Sequence, residues 1–261
     1  MGEKYTLITG ASSGIGEGFA RAMAAGGTPL ILVARRVERL EKLREELGKK
    51  VAVQILPMDL NRPEAAGEIF ETCQREGWVV CGLVNNAGLG FSRDLNNLSA
   101  EEMHRMLMVN VYALTSFTRA FLPAMIERGG GYVLNVASVA GFVPIAHFSL
   151  YAATKNFVVS LSEALAMELR DKGVKVCVLC PGPVATEFFD HAHMKPGNFP
   201  PVDTVENVVD CGMKALRKGR VIAFPSLFHR LVMGVVGFFP WPFRRWCVAL
   251  SYESILKKTE N

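Results

Sequence analysis

Short apolar, β-branched runs alternate with amphipathic stretches over the first two thirds of the chain. Lys4–Thr9, Leu30–Ala34, Val51–Leu56, Gly82–Asn85, Tyr132–Ala137 and Val174–Leu179 read as strands. Near-continuous runs of Val, Ile and Leu at this length suit strands buried on both faces. Between them, Arg36–Leu47 and Arg62–Arg75 have helical periodicity, and Ala100–Met125 reads as one long helix. Strand–helix alternation predicts a parallel sheet covered on both sides, the doubly wound α/β arrangement. No internal repeat or low-complexity linker interrupts the pattern, so residues 1–261 read as a single domain.

After Pro181 the pattern changes. Gly182–Thr204, rich in Pro, Gly and His, reads as a substrate loop or lid, and its Phe188, Phe189, Met194 and Phe199 point weakly to an apolar substrate. Val205–Arg217 returns to a helix and Arg220–Phe224 to a last strand. Ser226–Tyr252 then forms an apolar C-terminal extension, with Leu231–Phe239 almost wholly apolar and Arg244, Arg245 and Trp246 beyond it. A spanning helix needs about 20 apolar residues, so this run is too short for one. A pocket wall or a dimer contact is the first expectation for the extension. A peripheral membrane contact, with Arg230, Arg244 and Arg245 facing headgroups, comes second.

Composition narrows the classes. Half of the 261 residues are hydrophobic, enough for a large core and too many for a disordered or fibrous chain. The net charge of +4 comes from Lys and Arg scattered among acids, not from a basic stripe, so no nucleic-acid partner is expected. Six cysteines occur without a secretory leader in MGEKYTLITG, which predicts a reduced, cytoplasmic protein. Cys177 and Cys180 lie on one strand at positions that face opposite ways, and His191 with His193 has no companion ligand cluster, so no metal site is expected.

The chemistry lies at the carboxyl ends of the strands. Thr9-Gly10-Ala11-Ser12-Ser13-Gly14-Ile15-Gly16 leaves the first strand and opens a helix. Glycines there permit a tight turn and close approach of backbone to a pyrophosphate, which the free N–H groups and dipole of the helix N-terminus favour. The second strand ends Val33-Ala34-Arg35-Arg36, without the carboxylate that would hold a ribose 2′-hydroxyl. Arg35, with Arg36, would pair instead with a 2′-phosphate, favouring NADP(H) over NAD(H). Asp59 could meet an adenine amino group or cap the helix near Pro63, and Asn85-Asn86-Ala87-Gly88 ends the fourth strand at the ligand-binding edge.

Ser138 ends the fifth strand at the same edge, and Tyr151 and Lys155 follow one helical turn apart. A Tyr-x-x-x-Lys pair alone is close to what chance supplies; its order after the other motifs gives it meaning. A free phenol titrates near 10, and a neighbouring ammonium favours the phenolate. Ser138 could then hold a carbonyl while Tyr151 gives or takes its proton.

At these residues the chain, from Tyr5 to about Gly219, resembles the short-chain dehydrogenases/reductases. The resemblance implies a three-layer doubly wound Rossmann fold with a mainly parallel seven-stranded sheet and a C-terminal helical apolar extension. It implies a tetrad of Asn110, Ser138, Tyr151 and Lys155, with Asn110 holding a water in a proton relay. It also implies cofactor contacts from Gly10, Ser12, Ser13, Gly14, Ile15 and Gly16, from Arg35, Arg36 and Asp59, and from Asn86, Ala87 and Gly88. Tyr151, Lys155, Pro181, Gly182, Val184 and Thr186 complete that set. The ARR sequence resembles the NADP-preferring subgroup, and CPGPVATEFF with the basic-apolar tail looks most like the DltE-type reductases. The expected activity is hydride transfer between NADP(H) and a carbonyl or secondary alcohol. A homodimer or homotetramer is implied with it. The alternatives are an NAD(H)-dependent alcohol dehydrogenase and a nucleotide-binding scaffold without turnover.

Overall fold

The structure is a computed structural model and describes residues 3–192 and 202–238. The strands are β1 (Lys4–Thr9), β2 (Leu30–Ala34), β3 (Val53–Pro57), β4 (Val79–Asn85), β5 (Gly131–Val136), β6 (Val174–Leu179) and β7 (Ile222–Ala223). They form one sheet in the order β3-β2-β1-β4-β5-β6-β7, and every neighbouring pair is parallel. The expected mainly parallel sheet is therefore wholly parallel among the described residues.

Parity along each apolar run assigns its side chains to layers. All five residues of β2 are buried. Leu30 and Leu32 enter one core, while Ile31 and Val33 enter the other. The first core is closed by α1 (Gly14–Ala25), α2 (Val37–Leu47) and α8 (Val205–Lys218), through residues such as Phe19, Leu40 and Val208. The opposite face is closed by α3 (Ala65–Arg75), α5 (Leu114–Glu127) and α6 (Ser149–Glu168), through Ile69, Phe117, Phe121 and Val158. Burying each such side chain contributes about 2 kcal/mol.

The long helix expected over Ala100–Met125 changes its hydrogen-bond phase midway. Ser99 and Glu102 form a capping box that starts α4 (Ala100–Leu107). A π-helical turn, Met108–Ala113, then carries Asn110 into the interior before α5 begins. A short α7 (Phe188–His191) lies in the segment read as a lid, and α9 (Leu227–Phe238) makes the start of the apolar extension helical. Among the described residues no helix is long and apolar enough to cross a membrane. Met194 and Phe199 of the lid, His193, and Arg244, Arg245 and Trp246 of the extension lie outside the described residues.

Candidate active site

The turns leaving β1 and β4 lie side by side where the strand order reverses, the place where open parallel sheets bind ligands. Gly14 takes φ +55°, which a larger residue resists, and a Cβ on Gly16 would sit 2.3 Å from the Gly10 carbonyl oxygen. Ser13 precedes α1 in extended conformation without a side-chain cap, so the first N–H groups of the helix remain open to a ligand. The two turns are tied together. The Thr9 hydroxyl accepts from the backbone of Asn86 (3.0 Å) and Ala87 (3.1 Å), and Asn86 Nδ2 donates to the carbonyls of Thr9 (3.0 Å) and Gly10 (3.2 Å).

The arginines at the end of β2 divide their work. Arg36 donates to Ser13 Oγ (2.7 Å) and to Ser12 Oγ (3.2 Å), and pairs with Glu187 at 2.7 Å. Arg39 pairs with the other Glu187 oxygen at 2.6 Å. The two guanidinium groups hold the Glu187 carboxyl well down, at about 2. Arg35 is exposed, borders the cleft and makes no hydrogen bond among the described residues. Asp59 is exposed too. It accepts from the Asn61 backbone (3.1 Å), closing a local turn instead of capping α3, which begins at Ala65.

Ser138 caps a short 3-10 turn, Val139–Phe142: its Oγ accepts from Ala140 N (3.1 Å) and donates to the Pro181 carbonyl (3.4 Å). Tyr151 and Lys155, in the first turns of α6, are both buried. The Lys155 ammonium donates to the Val136 carbonyl (2.9 Å) and lies 5.6 Å from the Tyr151 ring centre. Asn110 is spent on structure: Oδ1 accepts from Leu89 N (2.8 Å), and Nδ2 donates to Leu89 O (2.8 Å) and Thr154 Oγ1 (3.0 Å).

Aromatic rings surround the phenol. Phe148 stacks on Tyr151 at 4.3 Å and Phe188 approaches at 5.4 Å. Gly90 makes room for them, because a Cβ there would meet Phe188 at 2.7 Å and Phe148 at 2.9 Å. This casing corrects the expected titration of Tyr151. Burial pushes the phenol up, and the Ser138 hydroxyl pulls the other way more weakly. Burial also brings Lys155 down to about 8. In this structure desolvation outweighs the pull that an ammonium was expected to exert on the phenol.

One cleft of about 890 Å³ joins these parts, from Arg35 and Arg36 past the glycine turn to Ser138 and Tyr151. All of the site residues read from the sequence border it except Gly16 and Asn110, which stand behind its wall. Thr186 sits against Gly14, and Val184 forms an isolated parallel bridge with Asp203. Past Ser138 the walls are apolar: Val143, Ile145, Phe148, Phe188, Phe189 and Met233. Sequence reasoning quoted Thr9 in the glycine motif without a role for it, and missed Gly90, Arg39, Glu187 and His229. Of these, only Arg39 carried a local signal, one turn beyond the ARR sequence on α2. No metal-binding cluster occurs among the described residues, and Cys177 and Cys180 enter different cores.

Residues 4–196 match the family model of the short chain dehydrogenases. The chain is 38% identical over 184 residues to sulfoacetaldehyde reductase 2 of Chromohalobacter salexigens, covering 70% of this chain and 73% of that one. Among solved structures it is similar to a short-chain dehydrogenase from Sphingobium yanoikuyae in complex with NADPH. That match has a TM-score of 0.81 and 32% identity, covering 91% of this chain and 97% of the other. It is also similar to a bulky-bulky ketone specific alcohol dehydrogenase from Comamonas testosteroni, with a TM-score of 0.76 and 30% identity over 91% and 95% of the two chains.

Proposed function

The chain belongs to the short-chain dehydrogenase/reductase family, oxidoreductases acting on CH–OH and C=O groups, and on that premise we propose that it is NADP(H)-dependent and reduces bulky, apolar carbonyl compounds or oxidises the matching secondary alcohols. The observation that carries the reading is the single cleft in which Ser138, Tyr151 and Lys155 share space with the glycine turn and two cleft-facing arginines. The fit to a 2′-phosphorylated dinucleotide rests on the Arg36–Arg39 pair, which already holds a carboxylate, and on Arg35 beside it, whose donors are uncommitted among the described residues.

When bound, the nicotinamide would supply or accept the hydride. The chain's own residues do the rest. Gly10, Ser12, Ser13, Gly14, Ile15 and Asn86 to Gly88 line the dinucleotide channel, with Pro181, Gly182, Val184 and Thr186 closing its nicotinamide end. Ser138 Oγ, positioned by the Ala140 N–H, turns its one proton from the Pro181 carbonyl to a substrate oxygen. Tyr151 remains protonated in its aromatic casing and gives that proton to the developing alkoxide. Lys155 stands next in line to restore it, anchored by Val136. Asn110 acts as a positioning residue: its side chain clamps Leu89 and Thr154, so a relay water held at this position would meet its backbone.

The apolar walls beyond Ser138 favour a lipophilic substrate, as does the ketone specificity named for the Comamonas enzyme. The resemblance of CPGPVATEFF and the basic-apolar tail to the DltE-type reductases supports a reductase of that type. Five free cysteines among the described residues fit a reducing, cytoplasmic setting. One observation favours NAD(H) instead: Glu187 already offsets one of the two positive charges of Arg36 and Arg39 that a 2′-phosphate would meet. NADPH oxidation across a ketone panel, with Tyr151→Phe and Arg35→Ala variants, tests the reading. Tyr151→Phe is expected to abolish turnover with cofactor binding kept, and Arg35→Ala to weaken NADPH at least tenfold more than NADH. Retained turnover, or equal effects on both cofactors, refutes it.

A further inference from the structure

His229 lines the cleft, Asp203 meets it from behind the wall, and neither has a part in the proton chemistry above. Asp203 is fixed by its neighbours: its N–H donates to the Pro183 carbonyl (2.8 Å), and its Oδ1 accepts from Asn207 Nδ2 (3.2 Å). His229, in the first turn of α9, lies on the Pro181–Gly182 turn, where a Cβ on Gly182 would be 2.1 Å from its Cε1. Across that turn, the Pro181 carbonyl accepts from Ser138. Asp203 and His229 are each only 7% exposed. Asp203 Oδ2 and His229 Nδ1 lie 4.0 Å apart, both sealed from solvent and without a hydrogen-bond partner.

Two unpartnered polar atoms buried face to face are costly, and a small ring rotation would join them. The carboxylate can only accept, so the joined state carries the imidazole proton on Nδ1 and leaves the lone pair on Nε2. Nε2 is not among the sealed atoms, and His229 borders the cleft. Burial lowers the affinity of the imidazole for a second proton, with Asp203 opposing. A neutral ring in this tautomer presents an acceptor to a cleft that Val143, Ile145, Phe148 and Phe188 also line.

We propose that Asp203 and His229 form a second polar anchor of the substrate cleft, which selects apolar carbonyl substrates carrying a hydroxyl donor remote from the reacting carbon. The inference rests on the reductase reading above. The test uses tetralone and its ring-hydroxylated and ring-methoxylated derivatives as probes with the full chain and NADPH. A hydroxyl can donate to Nε2 and a methoxy group cannot. The wild type should turn over the best hydroxytetralone about tenfold more efficiently than its methoxy counterpart, with the difference in KM. His229→Phe, which keeps the ring volume, should bring the two to parity.

Asp203→Asn is the sharper variant. Asn207 holds Oδ1 as an oxygen, so the new amide NH2 would face Nδ1, move the ring proton to Nε2 and bring the two compounds to parity, because hydroxyl and methoxy oxygens can both accept from it. It also keeps the side-chain volume, so it decides the matter if His229→Phe fails to fold. A wild type without preference, or a preference that survives these substitutions, overturns the anchor alone. No turnover of any tetralone would refute the ketone-reductase reading and the anchor with it.

Discussion

Glu187→Gln should tighten NADPH binding, although it removes an ion pair beside the cofactor channel. The Glu187 carboxylate sits between Arg36 (2.7 Å) and Arg39 (2.6 Å), where a 2′-phosphate would seek the same donors. The phosphate must therefore displace it. Side chains here are 38–46% exposed, so each pair is screened and worth about 0.5 kcal/mol. Two pairs give about 1 kcal/mol, or roughly a fivefold change in dissociation constant. The assay is titration of NADPH and NADH by nicotinamide fluorescence at low and high salt. Glu187→Gln should bind NADPH about fivefold more tightly, leave NADH unchanged, and lose most of the gain at 0.5 M salt, where the Debye length is only about 4 Å. Weaker NADPH binding would make Glu187 a cofactor ligand and refute the reasoning. An equal gain for NADH would show that the 2′-phosphate is not the competing group.

Lys155 gives a pH-dependent prediction. Its pKa falls by burial from the usual 10.5 to about 8, so between those values the unfolded chain holds a proton that the folded one has released. Stability then rises with pH through that window by up to about 1.4 kcal/mol per unit, and the cost of the buried ammonium is full below pH 8. Buried Cys73 and Cys177, pushed up to about 12 from the usual 9.0, act in the opposite sense above pH 9. Comparison with Lys155→Met in cofactor-free urea unfolding therefore isolates the lysine. The variant's stability relative to wild type should drop by about 1 kcal/mol per unit from pH 8 to 10, and a constant gap refutes the shift. Gly16→Ala places a Cβ against Gly10 O and Asn86 Nδ2. It should destabilise the protein by about 2 kcal/mol and weaken both cofactors alike, measured by urea midpoint and fluorescence titration; a wild-type midpoint would count against the close approach.

What the sequence disclosed was local. Leu30–Ala34 is wholly apolar, so burial on both faces could be read from it, and parity then divided Leu30 and Leu32 from Ile31 and Val33. The glycine turn, the ARR sequence and the Tyr151–Lys155 spacing were legible for the same reason, since each is a short run with its own stereochemistry. Gly82–Asn85 was read too short, because β4 begins at Val79 and its register against β1 shifts between Tyr5 and Thr6. The π turn at Asn110 left no trace in the apolar spacing, since one turn of altered hydrogen bonding barely moves the buried positions. Glu187 and Arg39 are 148 positions apart and meet only through the folded sheet. The Tyr151 titration was misjudged because the casing of Phe148, Phe188 and the vacant side of Gly90 is assembled from three separate segments.

Glu187 and Phe188 are consecutive, yet one reaches Arg36 and Arg39 while the other rests on Tyr151. A single peptide link thus joins the anion seat to the wall of the reaction chamber. Whatever factor an arriving phosphate imposes on the fit around Tyr151, a substrate pressing on Phe188 returns to the phosphate, because a binding coupling is the same read from either side.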